Sequence, residues 1–252
     1  MAIALTTLVA EAERYLGAAR ISDYCPNGLQ VEGRPQVLRI VSGVTASLAL
    51  IEAAVEARAD VLLVHHGYFW KGENPCVTGM KQRRLKALLA NDISLLAYHL
   101  PLDVHAEVGN NVQLAQQLEI TVEGPLEPDN PRTVGLVGSL AQPMSARDFA
   151  RRVHDTLGRE PLLVEGERMV SRIGWCTGGG QGYIDQAIAA GVDLYLTGEA
   201  SEQTYHSARE NGISFIAAGH HATERYGVQA LGDYLGRRFA IEHLFIDCPN
   251  PI

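Results

Sequence analysis

Two histidines stand side by side at positions 65 and 66, and a second pair, His220-His221, lies just before Glu224. His220 and Glu224 are four apart, so on a nascent helix both side chains face one way, the spacing that helical metal motifs use. Between these clusters runs His99-Leu-Pro-Leu-Asp103-Val-His105, adding a carboxylate and two imidazoles. Imidazole with carboxylate suits Zn, Fe, Mn or Ni and disfavours a purely oxygen-ligated Ca site. His65, His66, Asp103, His220 and Glu224 are the candidate ligands. A lone catalytic zinc takes three protein ligands, whereas these five, two of them carboxylates able to bridge, fit a pair of divalent ions roughly 3.5–4 Å apart. That pairing points to hydrolysis, because two cations lower the proton affinity of the attacking water. His221 is the alternative to His220, which has the one-turn spacing to Glu224. His99, His105 and Glu199 fit the tasks of orienting ligands or moving protons.

Each cluster follows an apolar run that reads as a strand. Val61–Val64 leads into His65-His66, Ile93–Ala97 into His99, Asp193–Thr197 into Gly198-Glu199, and Ile213–Ala217 into Gly219-His220. Seven of the nine histidines (65, 66, 99, 105, 206, 220, 221) lie at or just beyond these ends, and the first 60 residues contain none. His154, His206 and His243 are read as ordinary hydrogen-bonding residues.

The strand ends correspond because the chain is duplicated. Residues 29–63 recur without a gap 133 positions later, with 12 identities in 35. Leu29-Gln-Val-Glu-Gly33 matches Leu162-Leu-Val-Glu-Gly166, and Asp60 and Leu63 return as Asp193 and Leu196. Asn91–Ala97 answers Asn211–Ala217 at an offset of 120, so the first copy carries about 13 extra residues (133 − 120), placed near Tyr68–Met80. Self-similarity of this kind fixes the architecture before any motif does. Strands joined by helical crossovers imply parallel neighbours and layered α/β domains, whose ligands sit beyond the carboxyl ends of the strands. The first α/β repeat is assigned to residues 1–124, completed by C-terminal residues 225–252, and the second to 125–224. The junction falls in Thr121–Pro131, where three prolines in eleven residues read as a linker.

Helices are expected over about 5–16, 48–58, 80–90, 183–190, 200–210 and 223–237, with a further one capped by Ser145. Thr177-Gly-Gly-Gly180 lies between a strand and a helix, where exposed N–H groups of Gly178, Gly179 and Gly180 could seat a substrate phosphate, a tight turn being the plainer reading.

Composition bounds the rest. At 46% hydrophobic and 20% charged, with no apolar run near 18 residues, the 252-residue chain reads as soluble and without a membrane span. Its apolar N-terminus has no basic leader and continues into an amphipathic helix. Four scattered cysteines without a CxxC pair fit a reduced, cytoplasmic protein. A net charge of −8 argues against a general nucleic-acid binder, and the basic run Lys81–Lys86 reads as a solvated helix face.

The chain resembles the dinuclear-metal, hexamer-forming proteins labelled GTP cyclohydrolase 1 type 2 homologues, also called Ngg-interacting-factor-like. The resemblance covers essentially the whole chain. It rests on Pro26-Asn-Gly-Leu-Gln30, Leu63-Val-His-His-Gly67, His99 with Asp103, Thr197-Gly-Glu199 and Gly219-His-His-Ala-Thr-Glu224. It departs from the family pattern at Cys25-Pro26 and at Leu100-Pro-Leu102, neither of which is a proposed ligand. The resemblance implies two intertwined α/β domains of similar fold, two divalent ions in the cleft between them held by His65, His66, Asp103, His220 and Glu224, and a toroidal homohexamer. The expected function is metal-dependent hydrolysis of a nucleotide or related phosphorylated small molecule, with His99 or alternatively His105 shuttling protons. A ring-shaped metal-binding scaffold without catalysis is the competing expectation.

Overall fold

A computed structural model describes residues 1–252, which form two compact units. One comprises Met1–Val108 with Gly227–Cys248, the other Gly109–Tyr226 with Pro249–Ile252.

In the first unit, β1 (Ile3–Ala4) leads into α1 (Leu5–Leu16), whose Leu5, Leu8, Ala12 and Leu16 make one buried stripe. The helix stops at Gly17, where φ of +62° gives the left-handed cap that glycine favours. There follow β2 (Gly28–Val31), β3 (Gln36–Val37), β4 (Arg39–Thr45), α2 (Leu48–Glu56), β5 (Val61–His66), α3 (Gly79–Ala90), β6 (Ser94–Ala97) and the short α4 (Leu100–Asp103). Strands β4, β5 and β6 are parallel neighbours, and β2 pairs antiparallel on β6. Val61-Leu-Leu-Val64 is buried on both faces of this sheet, which is why it reads as a continuous apolar run instead of an alternating one.

The second unit contains α5 (Asn110–Gln117), β7 (Ile120–Pro125), β8 (Leu136–Met144), α6 (Ala146–Leu157), β9 (Leu162–Val164), β10 (Val170–Cys176), α7 (Ile184–Ala189), β11 (Leu194–Thr197), α8 (Glu202–Asn211), β12 (Ser214–Ala217) and α9 (His220–Thr223). Its sheet runs β7-β8-β10-β11-β12-β9, with β10, β11 and β12 parallel and β9 antiparallel on β12. The chain then enters α10 (Arg225–Phe239) and closes with β13 (Glu242–Phe245), which pairs parallel to β4 in the first unit.

The fold is a duplicated α/β one, and the duplication reaches individual hydrogen bonds. The Asp60 carboxylate accepts the N–H groups of Leu38 and Arg39, as Asp193 accepts those of Ser171 and Arg172. The Ser94 hydroxyl accepts the Gly33 N–H, as Ser214 accepts that of Gly166. The two sheets differ beyond the first parallel strand, where β13 forms the edge in the first and β8 followed by the edge strand β7 stands in the second.

The unit boundary is a correction to the sequence reading. It falls at Val108/Gly109, not at 124/125. Leu114, Ala115, Leu118 and Ile120 join the core of Phe149 and Trp175, and β7 pairs with β8. The proline-rich stretch is therefore partly strand. Pro125 is tolerated because it ends an edge strand.

Ser42, His243 and Asp233 are joined in the order of a hydrolase triad, with Oγ–Nε2 of 2.8 Å and Nδ1–Oδ1 of 2.7 Å. Ser42 is fully buried in the middle of β4, out of reach of any substrate. The set ties β13 and α10 to the sheet.

Candidate metal centre

In the first unit the site begins where β5 leaves the core. His65 is fully buried. Its Nδ1 lies 2.9 Å from the Tyr98 carbonyl oxygen, an acceptor only, so Nδ1 carries the proton and Nε2 keeps the lone pair. Nε2 is 3.5 Å from Oδ1 of Asp103, which α4 presents nearly buried. His66 pairs in register with Thr45 at the end of β4, and its Nδ1 sits 3.1 Å from the Thr45 hydroxyl. His99 follows β6, with Nδ1 donating to Asp23 at 2.8 Å. One ligand nitrogen from each of His65, His66 and His99 lies within 4.8 Å of the others.

The Asp23 loop holds His99 through more than its ring. Asn27 accepts the His99 N–H at 2.7 Å and donates to Asp23, which also accepts the N–H groups of Tyr24 and Leu100. Burial pushes the Asp23 carboxyl up, but the donors His99, Asn27 and Tyr24 outweigh it and hold the group down at about 2. Asp23, Cys25 and His99 also lie close enough to group round a cation. Burial, with the Asp23 charge beside it, pushes the Cys25 thiol up to about 12, which opposes the thiolate that such a ligand must become.

In the second unit, β11 ends at Thr197 and hands on to Gly198-Glu199, while β12 ends beside the turn into α9. His220 Nδ1 lies 2.6 Å from Glu199 Oε1, and its Nε2 lies 3.2 Å from Glu224 Oε2. Burial would lower the His220 imidazole, but the carboxylates of Glu224 and Glu199 outweigh it and raise the ring to about 9. A field that holds a proton this firmly also attracts a metal cation. His221 is buried, and its backbone N–H donates to the Ile252 carbonyl oxygen.

The glycine turn has a different task from the one expected. Gly178 N–H donates to the Thr223 hydroxyl and Gly180 N–H to that of Thr197, so these two amides are spent inside the protein. Two of the three amides expected to seat a phosphate at Gly178–Gly180 thus have partners within the protein. Gly178, at φ of +66°, is needed for space: a Cβ there would collide with the Glu224 carboxylate and close on His220 Nε2. The turn is a cradle that brings backbone up against two of the candidate ligands.

His105 lies in another network. Its Nε2 donates to the Tyr15 carbonyl oxygen at 3.0 Å, and its Nδ1 accepts the N–H groups of Glu107 and Val108. Both nitrogens are engaged with backbone. Asp23, Asn27 and Thr45 escaped the sequence reading. Asn27 lay within the motif Pro26-Asn-Gly-Leu-Gln30.

The residues fit a metal. The imidazoles of His65, His66, His99 and His220 each have Nδ1 held by a protein oxygen, the arrangement that orients metal-binding histidines and turns Nε2 outward. No helix is long and apolar enough to cross a membrane.

The profile of the Duf34/NIF3 (NGG1p interacting factor 3) family matches residues 3–251. A Pseudomonas aeruginosa protein named GTP cyclohydrolase 1 type 2 homolog is 82% identical over 251 residues, covering 100% of both chains. A solved protein described as ybgI, of unknown function, superposes with a TM-score of 0.95 at 52% identity, over 99% of this chain and 100% of its own. A Thermus thermophilus protein gives a TM-score of 0.91 at 34% identity, again over 99% and 100%.

Proposed function

The chain belongs to the Duf34/NIF3 family, and on that premise we propose that it is a divalent-metal-dependent hydrolase acting on a nucleotide or related phosphorylated small molecule. His65, His66, Asp103, His220 and Glu224 would hold the metal pair. The observation that carries this reading is the common fixing of Nδ1 in the three histidine ligands by protein oxygens, together with the buried carboxylates of Asp103 and Glu224. Burying that much ionisable chemistry at strand ends costs stability unless a cation repays it.

Bound divalent ions supply Lewis acidity and make water acidic enough to act as a nucleophile at neutral pH. The chain's own groups do the rest. Asp23 fixes His99 with its proton on Nδ1, so Nε2 can take a proton, and the carboxylate then stabilises the imidazolium. Glu199 orients His220 in the same way. Opening of a purine ring and cleavage of a phosphoester both suit such a site, and the name borne by the P. aeruginosa relative favours the first. A cytoplasmic, ring-shaped homohexamer is the assembly in which we place the chain.

The test is metal analysis followed by a screen of nucleotides with each divalent ion restored. His65→Ala is expected to lose both metal and turnover. Normal turnover by a metal-free His65→Ala protein would remove the hydrolase reading. A protein that binds metal but turns over no nucleotide would be the scaffold.

A further inference from the structure

The first copy carries its extra residues directly after His66, and they begin Gly67-Tyr-Phe-Trp70. Gln30 pins this start: its side chain accepts the Tyr68 N–H at 2.7 Å and donates to the carbonyl oxygens of Tyr68 and Pro26. Tyr68 is buried, with its hydroxyl donating to the Ala46 carbonyl. The next residue, Phe69, is forced to φ of +65°, a conformation that bulky L-residues avoid, and its ring is left exposed. Backbone strain of this kind gathers at functional sites. Lys81 spans the Phe69 ring and Glu73, fixing the far side of the turn.

Trp70 is turned back toward the histidines. Its indole N–H donates to the Gly67 carbonyl, and its ring stands edge-on to His99 at 4.9 Å between centroids and 6.1 Å from His66. Tyr24, 63% exposed, approaches His99 at 6.5 Å, and its carbonyl accepts the Lys71 N–H. Two aromatic rings therefore border the His99 imidazole. From Tyr68 to Asn74 the apolar side chains are all aromatic, with no leucine, isoleucine or valine among them. Such a surface suits a flat ring better than an aliphatic chain or an amphipathic helix, and its rigid frame reduces the ordering cost of binding.

We propose that Tyr24 and Trp70 form a stacking platform for the planar heteroaromatic ring of a nucleobase, beside His66 and His99. The proposal rests on the nucleotide-hydrolase reading and supplies its base-recognition element.

Of the two tryptophans, Trp175 is fully buried, so Trp70 is the responsive fluorophore. Chelator-stripped protein is titrated with guanosine and, separately, with ribose 5-phosphate. Saturable quenching by guanosine and none by ribose 5-phosphate is expected. Tyr24→Ala should raise Kd roughly 5- to 100-fold, the change one base–aromatic stack of about 1–3 kcal/mol implies, while Tyr24→Phe restores binding. Unchanged Kd in Tyr24→Ala, or an equal response to ribose 5-phosphate, would overturn the platform. Guanosine binding without turnover by metal-loaded protein would instead remove only the hydrolase reading.

Discussion

Asp23 receives four donors: the N–H groups of Tyr24 and Leu100, the Asn27 amide and the His99 ring. Its folded value of about 2 lies below the ordinary 3.8, so its stabilisation is fully present above about pH 4 and fades as pH falls through 2. Asp23→Asn should therefore cost about 1–2 kcal/mol at neutral pH, after allowing for solvent screening, and the deficit should vanish toward pH 2. Urea unfolding of both proteins across pH checks this; a deficit that grew in acid would contradict it. Glu199→Gln tests the orientation of His220 and is expected to weaken metal affinity about 10- to 100-fold, read by competition with a chelating dye. At this scale the sequence exposed the ligands, because histidines and acids at the ends of apolar runs stand out. It concealed Asp23 and Asn27, whose bonds to His99 close loops of 76 and 72 residues.

The duplicated elements share one device, an aspartate capping two backbone amides at the start of the first parallel strand. The copies are not equal, since Asp60 also holds Arg34 at 3.0 Å, whereas the position 133 further on is Glu167. Asp60→Ala is expected to cost roughly 2–3 kcal/mol and Asp193→Ala less, about 1–2 kcal/mol, by denaturant midpoint. Equal losses would mean that Arg34 adds nothing. The parallel strands and most helices were legible from apolar runs and cap residues, as at Ser145, whose hydroxyl accepts the Asp148 N–H. Helix α5 and strand β7 were not. α5 is eight residues whose buried Asn110 and Asn111 break the apolar pattern, and β7 lies in a proline-rich stretch where turn chemistry outvoted strand propensity. α4 and α9 are four residues each, too short to leave a period, although they present Asp103 and His220.

For the whole molecule, the chain leaves its first unit at Val108 and comes back at Gly227. The returning β13 is anchored by His243 between Ser42 and Asp233. His243→Ala strands a buried hydroxyl and opens a gap, and should destabilise the first unit by roughly 2–4 kcal/mol. Hydrogen exchange should then quicken in β4 and α10 while β10–β12 stay protected; uniform quickening would mean that the units unfold as one. Pairing of the two repeats was readable from 12 identities, whereas their boundary was set by burial of Leu114 and Leu118, which no repeat signal marks.

The most direct test is metal analysis of protein loaded with a divalent ion and then freed of excess, for wild type, His65→Ala and His220→Ala. The account predicts about two ions per wild-type chain, the content of a paired site, and loss in both variants. Retention of the full metal content by either variant, or a wild-type chain that holds none, would contradict it.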